Sequence, residues 1–220
     1  MANENVWVII PAHNEEKRVG SVIKTVKKYV KNVVVVDDGS KDDTGKVANN
    51  AGAFVLVHIL NLGKGAAAKT GCDYALKKGA EKIILIDADG QHNPDEIPKF
   101  LEALKEADIV FGYRKIGKGM PFVFRMGNRF LSKAVRWLFG IKLKDTQCGY
   151  RAFRADVYLK IRWRARDYGM ESEMIANVGK KHLRYKEIPI ETLYLDRYKG
   201  TTILDGVKIA LNLIKWRLTR

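Results

Sequence analysis

Short, nearly unbroken apolar runs alternate with amphipathic segments through the first half of this 220-residue chain, and this alternation limits the possible folds most strongly. Continuous apolar runs are typical of strands buried on both faces of a parallel sheet. Apolar residues that recur every three or four positions from Val19 to Val30 predict a helix. The pattern therefore predicts an α/β fold with a mostly parallel sheet, right-handed crossovers and flanking helices. The predicted strands are residues 6–10, 33–36, 54–57, 83–86 and 109–111.

The second half of the chain is less regular. A helix start is predicted at Asn93, a capping residue that is followed by Pro94. Neither a Ser/Gly/Pro-rich linker nor a repeat separates the halves, so we expect one domain over residues 1–220. Further elements are predicted as helices at 121–139, 155–161, 171–180 and 203–218, and as a strand at 183–188.

Charge is distributed unequally between the two halves. The chain has 40 Lys and Arg against 25 Asp and Glu, a net charge of +15. Residues 1–112 carry 15 basic and 16 acidic side chains, whereas residues 113–220 carry 25 and 9. This asymmetry indicates a basic surface for nucleic acid, an anionic membrane or a phosphorylated ligand, although solubility alone would also explain it.

Several classes of protein are disfavoured by the sequence. The polar residues 1–5 and the short apolar run after them do not resemble a secretory signal, and no stretch of about 18 apolar residues predicts a membrane span. Cys72 and Cys148 lack the spacing of a metal site, and the four histidines are scattered. We therefore expect reduced thiols and a cytoplasmic protein without zinc or a transmembrane segment.

Polar clusters follow four of the predicted strands. In an open α/β sheet, ligands bind beyond the carboxyl ends of the strands, so these clusters are expected to meet at one edge. The clusters are residues 11–16, 37–40, 87–91 and 112–114.

Asp87 and Asp89 give the most specific chemical signal. In an extended segment their side chains point to the same side, and two carboxylates held together favour a hard divalent cation. Mg²⁺ or Mn²⁺ takes carboxylates, waters and phosphate oxygens, and Gln91 would add a carbonyl oxygen. The alternative is a solvated turn before the next helix.

Two glycine-containing segments bear on nucleotide binding. Asp37 and Asp38 precede Gly39 and predict either a capped turn or a nucleoside contact. Residues 61–65 lack the Walker frame, and no Gly-x-Gly-x-x-Gly follows the first strand. A Walker NTPase and a dinucleotide oxidoreductase are therefore both disfavoured.

These motifs together resemble family 2 glycosyltransferases of the GT-A fold, and within them the dolichol-phosphate mannose synthases and related polyprenyl-phosphate glycosyltransferases. The resemblance spans nearly the whole chain. It is carried by Val-Ile-Ile-Pro-Ala-His-Asn-Glu-Glu (8–16), Val-Val-Asp-Asp-Gly-Ser-Lys-Asp-Asp-Thr (35–44), Asn-Leu-Gly-Lys-Gly (61–65), Asp-Ala-Asp-Gly-Gln-His (87–92), Gly-Tyr-Arg (112–114), Asp-Thr-Gln-Cys-Gly-Tyr-Arg (145–151) and Asp-Arg-Tyr-Lys-Gly (196–200).

The resemblance also implies roles for individual residues. Asp87, Asp89 and Gln91 would bind the metal and the donor diphosphate, and Asp89, Arg114 and Arg197 would be catalytic. His13, Gly90 and Ile203 depart from the residues usual in mannose synthases, which leaves the donor sugar open. The nucleotide sugar would be held by Pro11, His13, Glu15, Val35, Asp37, Asp38, Asp87, Ala88, Asp89, Gln91 and Arg114.

Amphipathic segments in the basic half predict a membrane-facing surface. Arg125, Arg129, Lys133 and Arg136 recur at spacings of 4, 4 and 3, which forms a basic stripe on one helix face. Residues 203–218 repeat the pattern, and both segments are typical of interfacial helices on an anionic membrane. The alternative is an ordinary helix packed on the core. A separate apolar stripe is predicted at Val123, Met126, Phe130, Ala134 and Leu138.

The sequence therefore predicts a metal-dependent, inverting hexosyltransferase of protein glycosylation. It would use GDP-mannose or a UDP-hexose and act peripherally on the inner face of the membrane, with a membrane-anchoring partner protein as a further expectation. One alternative acceptor is a sugar hydroxyl, with Glu171 or Glu173 as general base, although an acidic pair at a helix start explains both. A more distant alternative is a basic nucleic-acid-binding module. The polyprenyl or dolichyl phosphate acceptor would meet Arg125, Arg129, Lys133, Arg151 and Arg197.

Overall fold

A computed structural model describes residues 5–114, 122–167, 169–191 and 203–218. Its strands are β1 (Val6–Ala12), β2 (Asn32–Asp38), β3 (Phe54–His58), β4 (Lys82–Leu85), β5 (Ile109–Arg114), β6 (Arg151–Arg154) and β7 (Tyr185–Ile190). Its helices are α1 (Val19–Val26), α2 (Thr44–Asn50), α3 (Lys64–Lys77), α4 (Ile97–Ala103), α5 (Phe122–Phe139), α6 (Tyr158–Ile161), α7 (Met170–Lys180) and α8 (Ile203–Leu218).

All seven strands form one mixed sheet in the order β3-β2-β1-β4-β6-β5-β7. β1 pairs in parallel with β2 and β4, and β2 with β3, which confirms the predicted parallel core. β6 lies antiparallel between β4 and β5, and β5 pairs in parallel with β7. β6 is absent from the strands predicted from the sequence, because a four-residue strand with an arginine at each end lacks the apolar run that marks the others.

The burial of the sheet follows from its two helical layers. One core forms between the sheet and residues of α3, α5 and α7, and the other between the sheet and α1, α2 and α4. Residues Val33 to Val36 of β2 are fully buried, as predicted. β3 differs because it is an edge strand: Phe54 is 51% and Val57 66% exposed, so the expectation of two buried faces is wrong there.

Local helix signals match the structure closely. The Asn93 side chain accepts a hydrogen bond from the Asp95 amide, and Pro94 begins a 3₁₀ turn that leads into α4, which confirms the predicted start. α1 ends at Val26 rather than Val30, although Val30 is still buried. Short helices reach this stability through tertiary packing of their apolar faces.

Helix α5 follows its predicted apolar stripe only in part. Among its described side chains, Leu131 and Val135 are buried, and Ala134 and Leu138 of the predicted stripe pack half-buried against the core. Met126 and Phe130 of the same stripe are instead 52% and 63% exposed. The side chain of Val123 lies outside the described part of the chain. In the part of the chain described, no helix combines the length and apolar character that a bilayer crossing requires.

Candidate active site

The loops after β1 and β2 are cross-linked at the carboxyl edge of the sheet. His13 Nδ1 lies 2.9 Å from the Asp38 carbonyl oxygen and therefore carries the proton. The Asn14 amide donates to Ser40 Oγ at 2.9 Å, and the Glu15 amide donates to Thr44 Oγ1 at 2.8 Å. These bonds bring together two of the segments that the sequence predicts for nucleotide binding.

The predicted nucleotide-binding residues have unequal access to this edge. His13 is exposed and Pro11 half-buried, while the Glu15 carboxylate pairs with Arg18 at 3.1 Å. The Asp37 carboxylate accepts from the Ser40 amide at 3.0 Å. Val35 is fully buried within β2, so its side chain packs in the core and does not face a ligand.

Asp38 anchors a neighbouring loop. Its carboxylate is 2% exposed and accepts from the amides of Leu62 and Gly63 at 2.9 and 2.8 Å. His58 Nδ1 contacts the same carboxylate at 2.7 Å. These contacts bind the Asp38 carboxylate to the protein itself, which differs from the predicted contact with a nucleotide.

The loop at Leu62 and Gly63 positions Lys64 beside two carboxylates. Lys64 begins α3, and its Nζ lies 2.7 Å from Asp87 Oδ1 and 3.0 Å from Glu171 Oε1. Although burial disfavours the charged amine, the two carboxylates raise the pKa of Lys64 far above its usual value. The pairing of Lys64 with Asp87 and Glu171 was not predicted from the sequence, although Lys64 lies in the Gly-Lys-Gly segment that lacks the Walker frame.

The two aspartates after β4 have opposite pKa shifts. Burial acts to raise the pKa of Asp87, but the adjacent Lys64 charge outweighs it and lowers that pKa. Burial and then the Asp87 charge raise the pKa of Asp89, whose Oδ1 accepts from the Gln91 amide at 2.9 Å. Burial lowers the pKa of His92, whose Nδ1 lies 3.7 Å from Asp87 Oδ2. Asp89 therefore lies beside the negative charge of Asp87. The positive charge of Lys64 stabilises the ionised form of Asp87 more than that of Asp89.

The donor set of this pair fits a hard divalent cation. Among the residues that the structure describes, no group of three or more His, Cys, Asp or Glu could hold a metal by itself. Asp87 and Asp89 supply two carboxylates, and Mg²⁺ or Mn²⁺ usually completes its shell with waters and substrate phosphates. Burial and then the Asp87 charge raise the pKa of Asp89, and such a cation would stabilise its ionised form.

Arg114 lies at the end of β5 and is held by Asp145. Its Nε and Nη2 donate to the two Asp145 oxygens at 2.7 and 3.1 Å. Burial acts to raise the pKa of Asp145, but Arg114 reverses this effect and lowers it. The charge of Arg114 also lowers the pKa of Asp87, so Arg114 belongs to the same electrostatic site.

Gly149 lies directly against the Asp87–Lys64 pair. A side chain at this position would meet Asp87 Oδ2 at 2.7 Å and Lys64 Nζ at 2.8 Å. The Asp87–Lys64 pair therefore occupies the space that a Cβ would need.

The predicted acceptor arginines do not share one environment. Arg151, predicted to meet the acceptor phosphate, is 1% exposed and donates to the carbonyl oxygens of Cys148, Thr146 and Glu171, so its guanidinium is bound inside the protein. Arg129 and Lys133 are exposed on α5. Arg197 and the Arg125 side chain lie outside the described residues.

The two glutamates proposed as bases are also distinguished. Glu173 Oε2 accepts from the amides of Arg164 and Ala165 at 2.9 and 2.8 Å, so it anchors a loop. Glu171 is 2% exposed and pairs with Lys64. Its Oε2 has no hydrogen-bond partner among the described residues.

The fold defined by this sheet is that of the GT-A glycosyltransferases. A crystal structure of glucosyl-3-phosphoglycerate synthase from Mycobacterium tuberculosis, in complex with Mn²⁺, UDP-glucose and phosphoglyceric acid, aligns with a TM-score of 0.76 at 21% identity. The alignment covers 98% of this chain and 80% of that one.

Sequence comparison identifies the family. The family model described as glycosyl transferase family 2 matches residues 7–162, and the chain belongs to this family. It is 33% identical to a UDP-N-acetylglucosamine–dolichyl-phosphate N-acetylglucosaminyltransferase of Methanococcus voltae, over 99% of this chain and 98% of that protein. It is 31% identical to an undecaprenyl-phosphate mannosyltransferase of Micrococcus luteus, over 97% of this chain and 94% of the relative.

Proposed function

We propose that this family 2 glycosyltransferase transfers a hexose or N-acetylhexosamine from a nucleotide sugar to a polyprenyl phosphate, with inversion, at an anionic membrane surface. The observation that carries this proposal is the half-buried Asp87–Lys64 pair, which contacts the buried Glu171 and lies beside Asp89, at the edge where a donor diphosphate would lie. Relatives named for dolichyl and undecaprenyl phosphate support the acceptor class.

The donor end would use residues already fixed by the fold. Asp87 and Asp89, with Gln91 as the third predicted ligand, would hold Mg²⁺ or Mn²⁺, which supplies Lewis-acid neutralisation of the diphosphate when bound. Arg114, which Asp145 holds at the end of β5, would bring its positive charge to the phosphate oxygens. Such fixed donors favour a transition state because they need no reorganisation during the reaction.

The acceptor chemistry fits the described glutamates. A phosphate monoester is already anionic near neutral pH, with a second pKa of about 6, so its oxygen needs no general base. That oxygen would form a bond to the anomeric carbon as the bond from this carbon to the nucleoside diphosphate breaks. Glu173 is committed to two backbone amides and Glu171 to Lys64, which disfavours a hydroxyl acceptor that needs a base.

The membrane side of the proposal depends on the outer face of α5. Met126, Phe130 and Trp137 are 52%, 63% and 85% exposed, and Lys133 lies among them at helical spacing. Arg129 and Arg136 flank this face and are also exposed. Exposed apolar and aromatic side chains with basic neighbours are typical of a helix that lies in the interface of an anionic bilayer.

A donor and acceptor screen tests this function. UDP- and GDP-sugars are offered with Mg²⁺ or Mn²⁺ and a polyprenyl phosphate, and lipid-linked sugar is detected by mass spectrometry. The matched control acceptor is the corresponding polyprenol, which has a hydroxyl in place of the phosphate. We expect transfer to the phosphate only. Equal transfer to a polyprenol or glycolipid hydroxyl would contradict the proposal.

A further inference from the structure

The segment between β3 and α3 exposes an unusual amount of apolar surface. Ile59 is fully exposed, Leu60 is 60% exposed and Leu62 is 39% exposed. We name residues 59–62 the apolar loop. No Asp, Glu, Lys or Arg occurs from residue 53 to residue 62. A cluster of large apolar side chains in water usually marks a surface that binds a partner.

The backbone of the apolar loop is held firmly in place. The Asp38 carboxylate accepts from the Leu62 amide, and a Cβ at Gly39 would lie 2.5 Å from the Leu60 carbonyl carbon. This close approach needs Gly39, which also has a positive φ of 67°. The exposed side chains of the apolar loop therefore project from a fixed support.

A segment with three arginines lies against the residues that follow the apolar loop. The segment 162–167, which we name the basic loop, packs directly against Gly63, where a side chain would collide with the Arg166 carbonyl oxygen. The Ala66 amide donates to that oxygen at 3.1 Å, and Trp163 Nε1 donates to the Gly65 carbonyl at 2.7 Å. The two loops thus form one rigid unit at the start of α3.

Two arginines of the basic loop differ from the third in their ion pairing. Arg164 and Arg166 are exposed, and neither forms an ion pair with another described residue. Arg162 differs, because its Nη2 lies 2.6 Å from Asp73 Oδ2. Exposed apolar side chains beside uncommitted arginines match the two layers of a bilayer interface, acyl chains below and headgroup phosphates above.

We propose that the apolar loop and Arg164 and Arg166 form a second lipid-contact surface, separate from α5, that binds anionic membranes. This inference rests on the proposed function, since it places the same bilayer beside the donor site. Lys64, two residues beyond Leu62, lies within hydrogen-bond distance of Asp87, so this contact would hold the site near the lipid.

Charge favours a lipid over a second copy of the chain. A symmetric contact through this surface would place Arg164 and Arg166 close to their own counterparts in a chain of net charge +15. An anionic headgroup layer neutralises the same arginines, while Ile59 and Leu60 enter the boundary of the acyl chains.

Vesicle binding by matched variants tests the proposal. The double variant Ile59→Ser/Leu60→Ser is compared with wild type and with Leu159→Ser, which removes another apolar side chain that is 73% exposed. On vesicles of phosphatidylcholine with 30% phosphatidylglycerol, we expect the double variant to bind about tenfold more weakly, on the basis of the lost apolar burial. Leu159→Ser should bind like wild type.

A second variant tests the basic part. Arg164→Glu/Arg166→Glu should lose affinity for the anionic vesicles by more than about thirtyfold, because two charges worth about 1 kcal/mol each near the surface are removed and the new carboxylates add repulsion. On pure phosphatidylcholine it should match wild type. Circular dichroism and thermal unfolding confirm that each variant is folded.

Vesicle binding, oligomeric state and transfer in detergent separate this proposal from its alternatives. Wild-type vesicle binding by both double variants would overturn it. A wild-type dimer that becomes monomeric in Ile59→Ser/Leu60→Ser, with vesicle binding unchanged, would also overturn it and assign the surface to a second copy. Transfer to a short-chain polyprenyl phosphate in detergent, without vesicles, should be equal in wild type and variants. If wild type transfers to no polyprenyl phosphate, the proposed function fails while the vesicle result still decides this inference.

Discussion

The charges at the carboxyl edge of the sheet and the charges on α5 are organised in opposite ways. At the edge, Lys64 bridges Asp87 and Glu171, and Arg114 makes a two-bond pair with Asp145. On α5, Arg129, Lys133 and Arg136 are exposed beside apolar side chains. Buried charges must be paired with good geometry, whereas exposed charges interact weakly and are screened by salt.

The net charge of +15 therefore includes two kinds of charged side chain, those paired at the site and those exposed on the surface. The buried pairs set positions and pKa values at the site, so altering one should change catalysis or folding. The exposed charges set attraction to an anionic surface, so altering one should change membrane binding alone.

The largest effect is expected at Asp89. Asp89→Asn removes one of the two carboxylates proposed to hold the cation, and we expect hexosyl transfer to fall by about 10³-fold, because electrostatic groups at the reacting diphosphate supply several kcal/mol. Initial rates with saturating Mn²⁺ measure this. Asp156→Asn, at an exposed aspartate paired with Arg154, is the control. Unchanged transfer in Asp89→Asn would remove the acidic pair from the mechanism.

Gly149→Ala tests the geometry of the Asp87–Lys64 ion pair. The added Cβ would lie 2.7–2.9 Å from the Asp87 oxygens and 2.8 Å from Lys64 Nζ, so the pair must move. We expect turnover to fall by about 10²-fold, since a shift of about 1 Å has that cost. Titration with Mn²⁺ followed by electron paramagnetic resonance should also show weaker binding.

Gly127 on α5 provides the matched control for Gly149. A Cβ there meets nothing within 4 Å. Gly127→Ala should keep full activity and gain up to about 1 kcal/mol in the free energy of unfolding, because alanine is the better helix former. If Gly149→Ala and Gly127→Ala lost activity equally, a collision of the new Cβ with Asp87 and Lys64 could not be the cause of the loss at Gly149.

Arg151→Met tests whether a buried charge acts through folding. The carbonyl oxygens of Cys148, Thr146 and Glu171 would lose their donor, and we expect a loss of about 4 kcal/mol in the free energy of unfolding, measured in urea. Arg154→Met removes an exposed ion pair with Asp156 and should cost under about 1 kcal/mol. Similar losses in the two variants would contradict the distinction between buried and exposed charge.

Asp145→Asn should give a pH-dependent loss of stability. Arg114 holds the folded pKa of Asp145 below its unfolded value, so the ionised carboxylate stabilises the fold above the unfolded pKa of about 4. We expect a cost of about 3 kcal/mol at pH 7. As the pH falls through the lowered folded pKa, wild type loses this stabilisation and the difference in urea unfolding should shrink. A difference that stays constant with pH would exclude the charge as its cause.

The smallest effect is expected on α5. Lys133→Gln/Arg136→Gln should leave the unfolding midpoint unchanged and weaken binding to anionic vesicles by about 1 kcal/mol for each charge at low salt. The difference should largely disappear at 1 M salt, where the screening length falls to about 3 Å. A loss of stability instead would show that these side chains support the fold.

Much of the fold was predictable because its signals are local. The apolar runs of β1, β2 and β4 are continuous, and Asn93 with Pro94 marks a helix start within a few residues. The positions of Asp87 and Asp89 after a buried strand placed the acidic cluster at the correct edge. β6 escaped prediction because its pairing with β4 and β5 depends on residues distant in the chain.

The strand–helix alternation, the acidic sheet edge and the family can be recognised from the amino-acid sequence, because spacing and residue type express them directly. Which charges are buried depends on the folded chain. Asp38 became a loop anchor, Arg151 an interior donor to three carbonyl oxygens, and Lys64 the cation beside Asp87. The physical reason is that the environment of a charged side chain depends on packing between distant segments, which no local pattern records.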